Sequence, residues 1–412
     1  AFTMAALWAL ESAEREGASV WWLVGGVTAV ALAYFTRSAG LPLLLALLGW
    51  LALRRRWLPL GFSSVAIGVP ALLWWIRGRG AGVGQYASEF WMVDPYQPAL
   101  GTVNFGGLLD RAMDNLWAYV SIHGPGGIVG GRGTLVTAFG IGLTGLALLG
   151  WARSARTRIG PAELFMPLYA GLILLWPEVW SGDRFALPLF PLFFLFATLA
   201  LRETLGKAGR LGGSVIIAVA TALVLLPAGR SWLTSVEEAS ACERITNDRG
   251  PWGCYGSGVS EFAEAAAWMQ SSLPEGSSVM TRKPRLFYVM SGLTSRTFPF
   301  DDDPSVQLAE ADLVGARYVL LDNWDGLSSR YVGRALQRNA QAFCSIRGFG
   351  STQGSTHLLG IKEESSRSGN EQLRTQEIRL DVCPASYIRT DPDDRYPSSS
   401  SRRIRLLEVL EP

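Results

Sequence analysis

Long apolar runs fill the chain from residue 1 to 227, broken only by short polar stretches, and from 228 onward the pattern becomes that of an ordinary soluble sequence. A spanning helix needs about 20 mostly apolar residues. The runs at 20–34, 41–53, 58–76, 134–151, 162–176, 185–201 and 213–227 predict spans, and flanking Trp, Tyr and Arg extend the short ones by snorkelling. With a partial helix at the start, this makes about eight crossings. The expected architecture is a polytopic α-helical membrane bundle followed by a small extracytoplasmic α/β domain. The bundle covers 1–227 with an outer loop at 77–133, the α/β domain covers 228–363, and 364–412 is a polar, partly disordered tail with room for one edge strand in "EIRLDVC".

Within the second part, period-3.6 and strand-like pieces alternate. "EFAEAAAWMQSSL" carries Phe262, Ala266, Met269 and Leu273 at helical spacing. "SSVMT", "ARYVLLD", "CSIRG" and "THLLGIK" read as strands, and "SSRYVGRALQRNAQAF" as a helix. Asp303 followed by Pro304 is a cap and first-turn pair opening a helix. In the outer loop, "LLDRAMDNLWAYVSI" places Leu108, Leu109, Ala112, Met113, Leu116 and Val120 on one helical face and Asp110, Arg111, Asp114, Asn115 and Ser121 on the other. That pattern suits a helix lying in the membrane interface.

Basic residues in the short loops set the orientation. With 11–19 cytoplasmic, Arg54, Arg55 and Arg56 fall on the same side, as do Arg153, Arg156, Arg158, Arg202, Lys207 and Arg210. The stretches 36–40, 77–133 and 177–184 then face outward, and the last helix delivers residue 228 onward to the outer side. The cysteines agree. Cys242, Cys254, Cys344 and Cys383 all lie in the second part, and an even count there fits disulfides in an oxidising space. Three pairings exist; Cys242–Cys254 with Cys344–Cys383 is the one preferred. The opening "AFTMAALWALESAEREG" lacks a basic n-region and a cleavage site, so it is read as the second half of a membrane helix, and the natural protein is expected to begin upstream.

Composition excludes some classes. The 412 residues carry a net charge of +2 with no basic stripe, so nucleic acid is not an expected partner. No Gly-rich dinucleotide fingerprint or phosphate-binding P-loop occurs, and there is no C-x-x-C for a zinc or redox site. No cofactor is implied, and no ligand cluster decides whether a divalent metal is needed.

Two arginines stand apart. The cluster Arg54–Arg56 anchors a helix end, whereas Arg37, in "AYFTRSAGLPLLLALLGWLALRRRW", and Arg184, in "DRFALPLFPLFFLFATLAL", fall on the outer side. Each either snorkels or points into a cavity and binds phosphate, for which a guanidinium offers a planar fork of donors. Both segments resemble parts of the GT-C superfamily of membrane glycosyltransferases, relatives of the protein O-mannosyltransferases and aminoarabinose transferases. "FAEAAAWMQSSLPEGSSVMTRKPRLFYVMSG" followed by "ARYVLLDNWD" resembles the outer domain of many bacterial members. The resemblance covers most of the chain except the polar tail.

It implies a membrane glycosyltransferase of the cytoplasmic membrane and cell envelope, moving a hexose or pentose from a polyprenyl-phosphate donor to a glycan, lipid or protein acceptor on the extracytoplasmic face. The family's catalytic base is a carboxylate in the first outer loop, which is expected upstream of Ala1. Arg37 and Arg184 are then the lipid-phosphate ligands, with Asp183, Glu89 and Asp94 as substrate-binding carboxylates or locally paired ones, Asp183 beside Arg184 being the best such pair. His123, in "SIHGPGG", is read as a loop residue. Arg282, Lys283 and Arg285 form a basic cluster beside a strand end; it either faces an anionic lipid headgroup or the substrate or, the preferred reading, is a solvated turn followed by a short helix. A non-catalytic scaffold with the same body is the alternative function. A lipid-sugar transporter is disfavoured by the lack of an internal repeat.

Overall fold

The computed structural model of the chain describes residues 1–15, 17–78, 85–205, 210–350, 356–363, 377–389 and 401–405. The chain forms two units: one of Ala1–Pro95 with Leu100–Ser235, the other of Tyr96–Ala99 with Val236–Pro412.

The first unit is helical: α1 (Phe2–Ser12), α2 (Val20–Thr36), α3 (Leu41–Leu53), α4 (Trp57–Arg77), α5 (Gln85–Trp91), α6 (Phe105–Ala118), α7 (Gly124–Val129), α8 (Thr134–Thr157), α9 (Pro161–Leu175), α10 (Asp183–Ala186), α11 (Phe190–Leu205) and the start of α12 (Arg210–Arg249). Its core joins Leu10 of α1, Val30 of α2, Leu47 and Trp50 of α3, Phe165 and Tyr169 of α9, and Phe196 of α11. Helix α8 packs closely on α11 because Gly150 lets the backbones meet. A Cβ there would lie 1.8 Å from the Phe196 carbonyl oxygen.

Only two helices among the described residues, α4 and α8, are long and apolar enough to cross a bilayer. This overturns the expected polytopic bundle. At 1.5 Å per residue, a hydrocarbon core of about 30 Å needs about 20 residues. The runs at 20–34, 41–53 and 162–176 fold as helices α2, α3 and α9 of 17, 13 and 15 residues. The run at 185–201 is split by a break between α10 and α11. The run at 213–227 lies inside α12, with most of its side chains outside the described residues. The apolar runs therefore build a helical core rather than a row of crossings. Helix α4 remains apolar and exposed, with Leu58, Phe62 and Trp74 all uncovered.

Helix α6 keeps the two faces that the sequence divides, and the structure adds what the polar face does. Its polar Arg111 and Asn115 are the buried residues, together with Leu108, while Leu109, Met113 and Leu116 are exposed. Arg111 donates to the carbonyls of Phe90, Met92 and Leu175, and Asn115 donates to those of Leu174 and Trp176. The two side chains thus satisfy orphan carbonyls at the end of α9.

The second unit adds α13 (Ser257–Ser272), β1 (Ser278–Met280), α14 (Pro284–Ser291), β2 (Thr294–Arg296), α15 (Pro304–Leu313), β3 (Tyr318–Leu321), a π-helical turn at Ser329–Gly333 running into α16 (Arg334–Arg338), β4 (Phe343–Phe349), β5 (Thr356–Ile361), β6 (Glu377–Asp381) and β7 (Ser401–Arg405). Asp303 caps α15, its carboxylate accepting from the Ser305 amide. The main sheet has the order β2-β1-β3-β5-β4, with β1 parallel to both β2 and β3, and β5 antiparallel to its neighbours. Strand alternation splits the core into two layers. Val279, Tyr318 and Leu320 pack with Phe262 of α13 and Phe287 of α14, whereas Met280, Val319 and Leu321 pack with Leu308 of α15 and Leu336 of α16. β6 and β7 make a separate two-stranded sheet. Disulfides join Cys242 to Cys254 and Cys344 to Cys383.

Candidate functional site

The first unit has two polar ends. At one, Glu14 accepts hydrogen bonds from the Trp50 indole (2.8 Å), Arg54 (2.6 Å) and Arg158 (2.8 Å), and Arg158 also pairs with Glu11. Burial opposes ionisation of Glu14, but the bonds from Trp50 and Arg54 and the charge of Arg158 outweigh it and hold the carboxyl below its usual range. Arg56 stacks over the Trp50 ring. Arg54 and Arg56 of the cluster at the end of α3 are thus partnered.

The other end is reached at the close of α2, about 25 Å of helix away. There Arg37 breaks the helix with extended backbone. Its guanidinium lies 4.9 Å from the Phe185 ring centroid, and that of Arg184 lies 5.0 Å from the same ring. Two cations on one ring place their carbons within about 10 Å of each other, held by the ring's negative face. Among the described residues neither forms an ion pair. An anion that reaches both would be stabilised.

The tripeptide Asp183-Arg184-Phe185 forms most of the short helix α10, and its side chains fan out at about 100° per residue. Asp183 does not pair with Arg184, as the sequence suggests, but with His123, whose Nδ1 lies 2.8 Å from Asp183 Oδ1. His123 ends a π-helical turn, Tyr119–His123, that lies against α8 at Gly140, where a Cβ would meet the Val120 carbonyl oxygen at 2.1 Å. His123 is therefore not a plain loop residue. Its Nε2 has no hydrogen-bond partner among the described residues.

Tyr119 and Tyr169 frame the site. The Gly182 amide donates to the Tyr119 hydroxyl at 3.4 Å, and the Tyr169 hydroxyl donates to the Phe185 carbonyl at 3.0 Å. Burial pushes the Tyr119 hydroxyl above its ordinary value, and the Asp183 charge adds to this against the opposing hydrogen bonds of Gly182 and Ser181. Tyr119 is thus a neutral hydroxyl at physiological pH. Ser181 donates to Asn115 Oδ1, which ties the α9–α10 connection to α6.

A cleft of about 500 Å³ opens beside the dyad, lined by Ile122, Gly126, Gly131, Arg132 and Asp183. Arg132 brings a third guanidinium without an ion pair among the described residues. No protein-family model matches this sequence, and searches of curated proteins and of solved structures return no match. The geometry must carry the reading alone.

Of the residues singled out from the sequence, Asp183 lines the cleft, while Arg37 and Arg184 meet on the Phe185 ring. Glu89 sits on α5 and Asp94 in the turn that follows it; neither lines the cleft. Among the described residues no group of three or more His, Cys, Asp or Glu side chains is arranged to hold a metal. His123, Tyr119, Phe185 and Arg132 were missed. The only local signal for them was the glycine-rich "HGPGGIVGGRG", which permits close backbone approach but names no partner.

The basic cluster of the second unit has a different place. Arg282 and Lys283 follow β1, and Asp322 and Asp325 follow β3, at the point where the strand order reverses. Such a switch point is the usual ligand crevice of an open α/β sheet. Here Arg282 is buried rather than solvated. Its Nε lies 3.0 Å from Asp325, and its guanidinium stacks on Tyr96 (4.8 Å) and Phe300 (5.5 Å). Tyr331 donates to the Tyr96 carbonyl and Arg330 donates to Gln97 at 2.9 Å. Tyr96 and Gln97 cover the side chains at that point.

Proposed function

We propose that the protein is a membrane-associated glycosyltransferase that takes a sugar from a polyprenyl-phosphate donor and gives it to a hydroxyl acceptor on the extracytoplasmic face. The observation that carries this reading is the convergence of Arg37 and Arg184 on Phe185. Two uncompensated guanidiniums can grip the oxygens of one phosphate, and charge-assisted bonds stabilise it further as it leaves. Arg132, across the cleft, is a third donor. The exposed apolar helix α4 and the length of α8 support bilayer contact, where a polyprenyl chain dissolves.

Sidedness follows from the disulfides, which require an oxidising compartment. Residues 78–133 connect α4 to α8 and contain both His123 and Tyr96–Ala99, the latter belonging to the disulfide-bearing unit. In this reading the arginine site lies on the outer side of the cytoplasmic membrane. A glycan, lipid or protein hydroxyl serves as acceptor.

The test uses the full chain in lipid nanodiscs. Polyprenyl phosphate binding is measured for the wild type and for Arg37→Ala and Arg184→Ala. Each variant is expected to bind about 10–100-fold more weakly, the value of a charge-assisted hydrogen bond. Unchanged affinity in both variants removes the phosphate site. Binding without any sugar transfer by the wild type favours the non-catalytic scaffold instead.

A further inference from the structure

The leaving phosphate is only half of a transfer reaction; the acceptor hydroxyl must also lose a proton. We propose that His123, held by Asp183, is the base that takes it. The proposal rests on the transfer reading above and extends it to the attacking side.

Four observations support it. His123 Nδ1 and Asp183 Oδ1 are 2.8 Å apart, the contact by which a carboxylate selects one imidazole tautomer and stabilises the imidazolium. With Nδ1–H donated to Asp183, the lone pair resides on Nε2, which has no other partner among the described residues while the side chain stays 23% exposed. Asp183 lines the cleft, and Arg184 is its chain neighbour, so the base's carboxylate partner and a phosphate ligand come from one short helix. The π-helical turn that ends at His123 has the widened geometry that recurs at functional sites. The charged and titratable groups near the dyad are Asp183 and Arg184 of α10, Arg132 of the cleft and Tyr119 of the same turn, whose ring is tilted against the imidazole with centroids 5.4 Å apart.

The step balances. The acceptor oxygen attacks the anomeric carbon and forms the new C–O bond. Its proton passes to Nε2. The bond from the anomeric carbon to the phosphate oxygen breaks, and its electron pair stays on the polyprenyl phosphate, which gains one negative charge beside Arg37 and Arg184. The imidazolium's positive charge is matched by Asp183. His123 is the catalytic residue in this scheme, and Asp183 is a positioning residue.

The experiment follows release of labelled sugar from polyprenyl-phosphate hexoses and pentoses by the full chain in nanodiscs, to water and to added alcohols. Polyprenyl phosphate binding is measured in parallel. His123→Ala and His123→Gln are expected to lower kcat about 10²–10⁴-fold with binding within twofold of wild type, and added imidazole should restore part of the His123→Ala rate. Asp183→Asn should lower the rate less and shift the acid limb of the pH–rate profile, a readout that a packing role does not move. Wild-type transfer with His123→Ala within threefold of it, or a loss that imidazole leaves untouched while binding also collapses, overturns the dyad and leaves the phosphate site standing. A wild type that transfers no sugar overturns the functional reading, and the dyad with it.

Discussion

The guanidinium of Arg282 stacks on the ring of Tyr96, 4.8 Å from its centroid, although the two residues lie far apart in the chain. Arg282 is thereby shielded on one face while Asp325 meets its Nε. An arginine that reads as part of a solvated turn is instead a buried anchor for a segment from the α5–α6 connection. Removing the ring by Tyr96→Ala should destabilise the second unit by about 1–3 kcal/mol, combining lost burial with a desolvated cation–π contact. Tyr96→Phe should cost less than Tyr96→Ala, because ring and carbonyl both remain. Denaturant titration with hydrogen exchange at β1 and β3 checks both; equal behaviour of the two variants would refute the anchoring role.

Asp322 makes the second unit pH-sensitive. Burial raises its carboxyl from 3.8 to about 6, against hydrogen bonds from Ser328 Oγ and the Trp324 amide; the Asp325 charge adds to the rise and Arg282 opposes it. The folded state therefore holds this proton to higher pH than the unfolded chain does. The stabilisation is fully present below the unfolded value near 4 and is lost as pH rises through about 6, about 3 kcal/mol in all. Asp322→Asn should flatten the stability profile between pH 4 and pH 6, as read by thermal melts across that window.

The two disulfides differ in consequence. Cys344 and Cys383 close the longer loop, with a sequence separation of 39, and both are buried in the α13 layer of the core. On chain entropy the crosslink contributes about 4 kcal/mol, and Cys242–Cys254 about 3 kcal/mol. The pair Cys344→Ala with Cys383→Ala should cost more in unfolding than the pair Cys242→Ala with Cys254→Ala. Mild reductant should leave the buried bridge intact longest, which thiol labelling under native conditions measures.

Gly150 sets the α8–α11 contact. Even one methyl group has no space against the Phe196 carbonyl, so Gly150→Ala should cost about 1–3 kcal/mol through a forced backbone shift. Gly142 of the same helix has open space at its Cβ position, so Gly142→Ala is the matched control and should be neutral or stabilising. Thermal inactivation in nanodiscs separates the two.

Much of the second unit was legible locally. The helix read from Phe262, Ala266 and Met269 is α13, the strands of "SSVMT" and "ARYVLLD" are β1 and β3, and Asp303 caps α15 as its position before Pro304 suggests. These features depend on side-chain period and capping chemistry within a few residues. In the first unit the two faces of α6 were legible, but not what its polar face meets: Arg111 and Asn115 turn inward to satisfy the end of α9. Apolar content likewise overstated the crossings, because a run of 13 or 15 residues in a packed core is as hydrophobic as one in lipid.

What the sequence by itself determined is local: which stretches are helix or strand, where composition changes near residue 228, and that four cysteines share the second part. It also marked Arg37 and Arg184 as cations out of place. Only the tertiary structure decided that both meet on Phe185, that Asp183 turns from its neighbour Arg184 to His123, and that Arg282 is covered by Tyr96. The reason is physical. Periodicity and caps act within one or two turns of chain, whereas a pair of charges or rings from distant segments is set by how helices of given length return past one another.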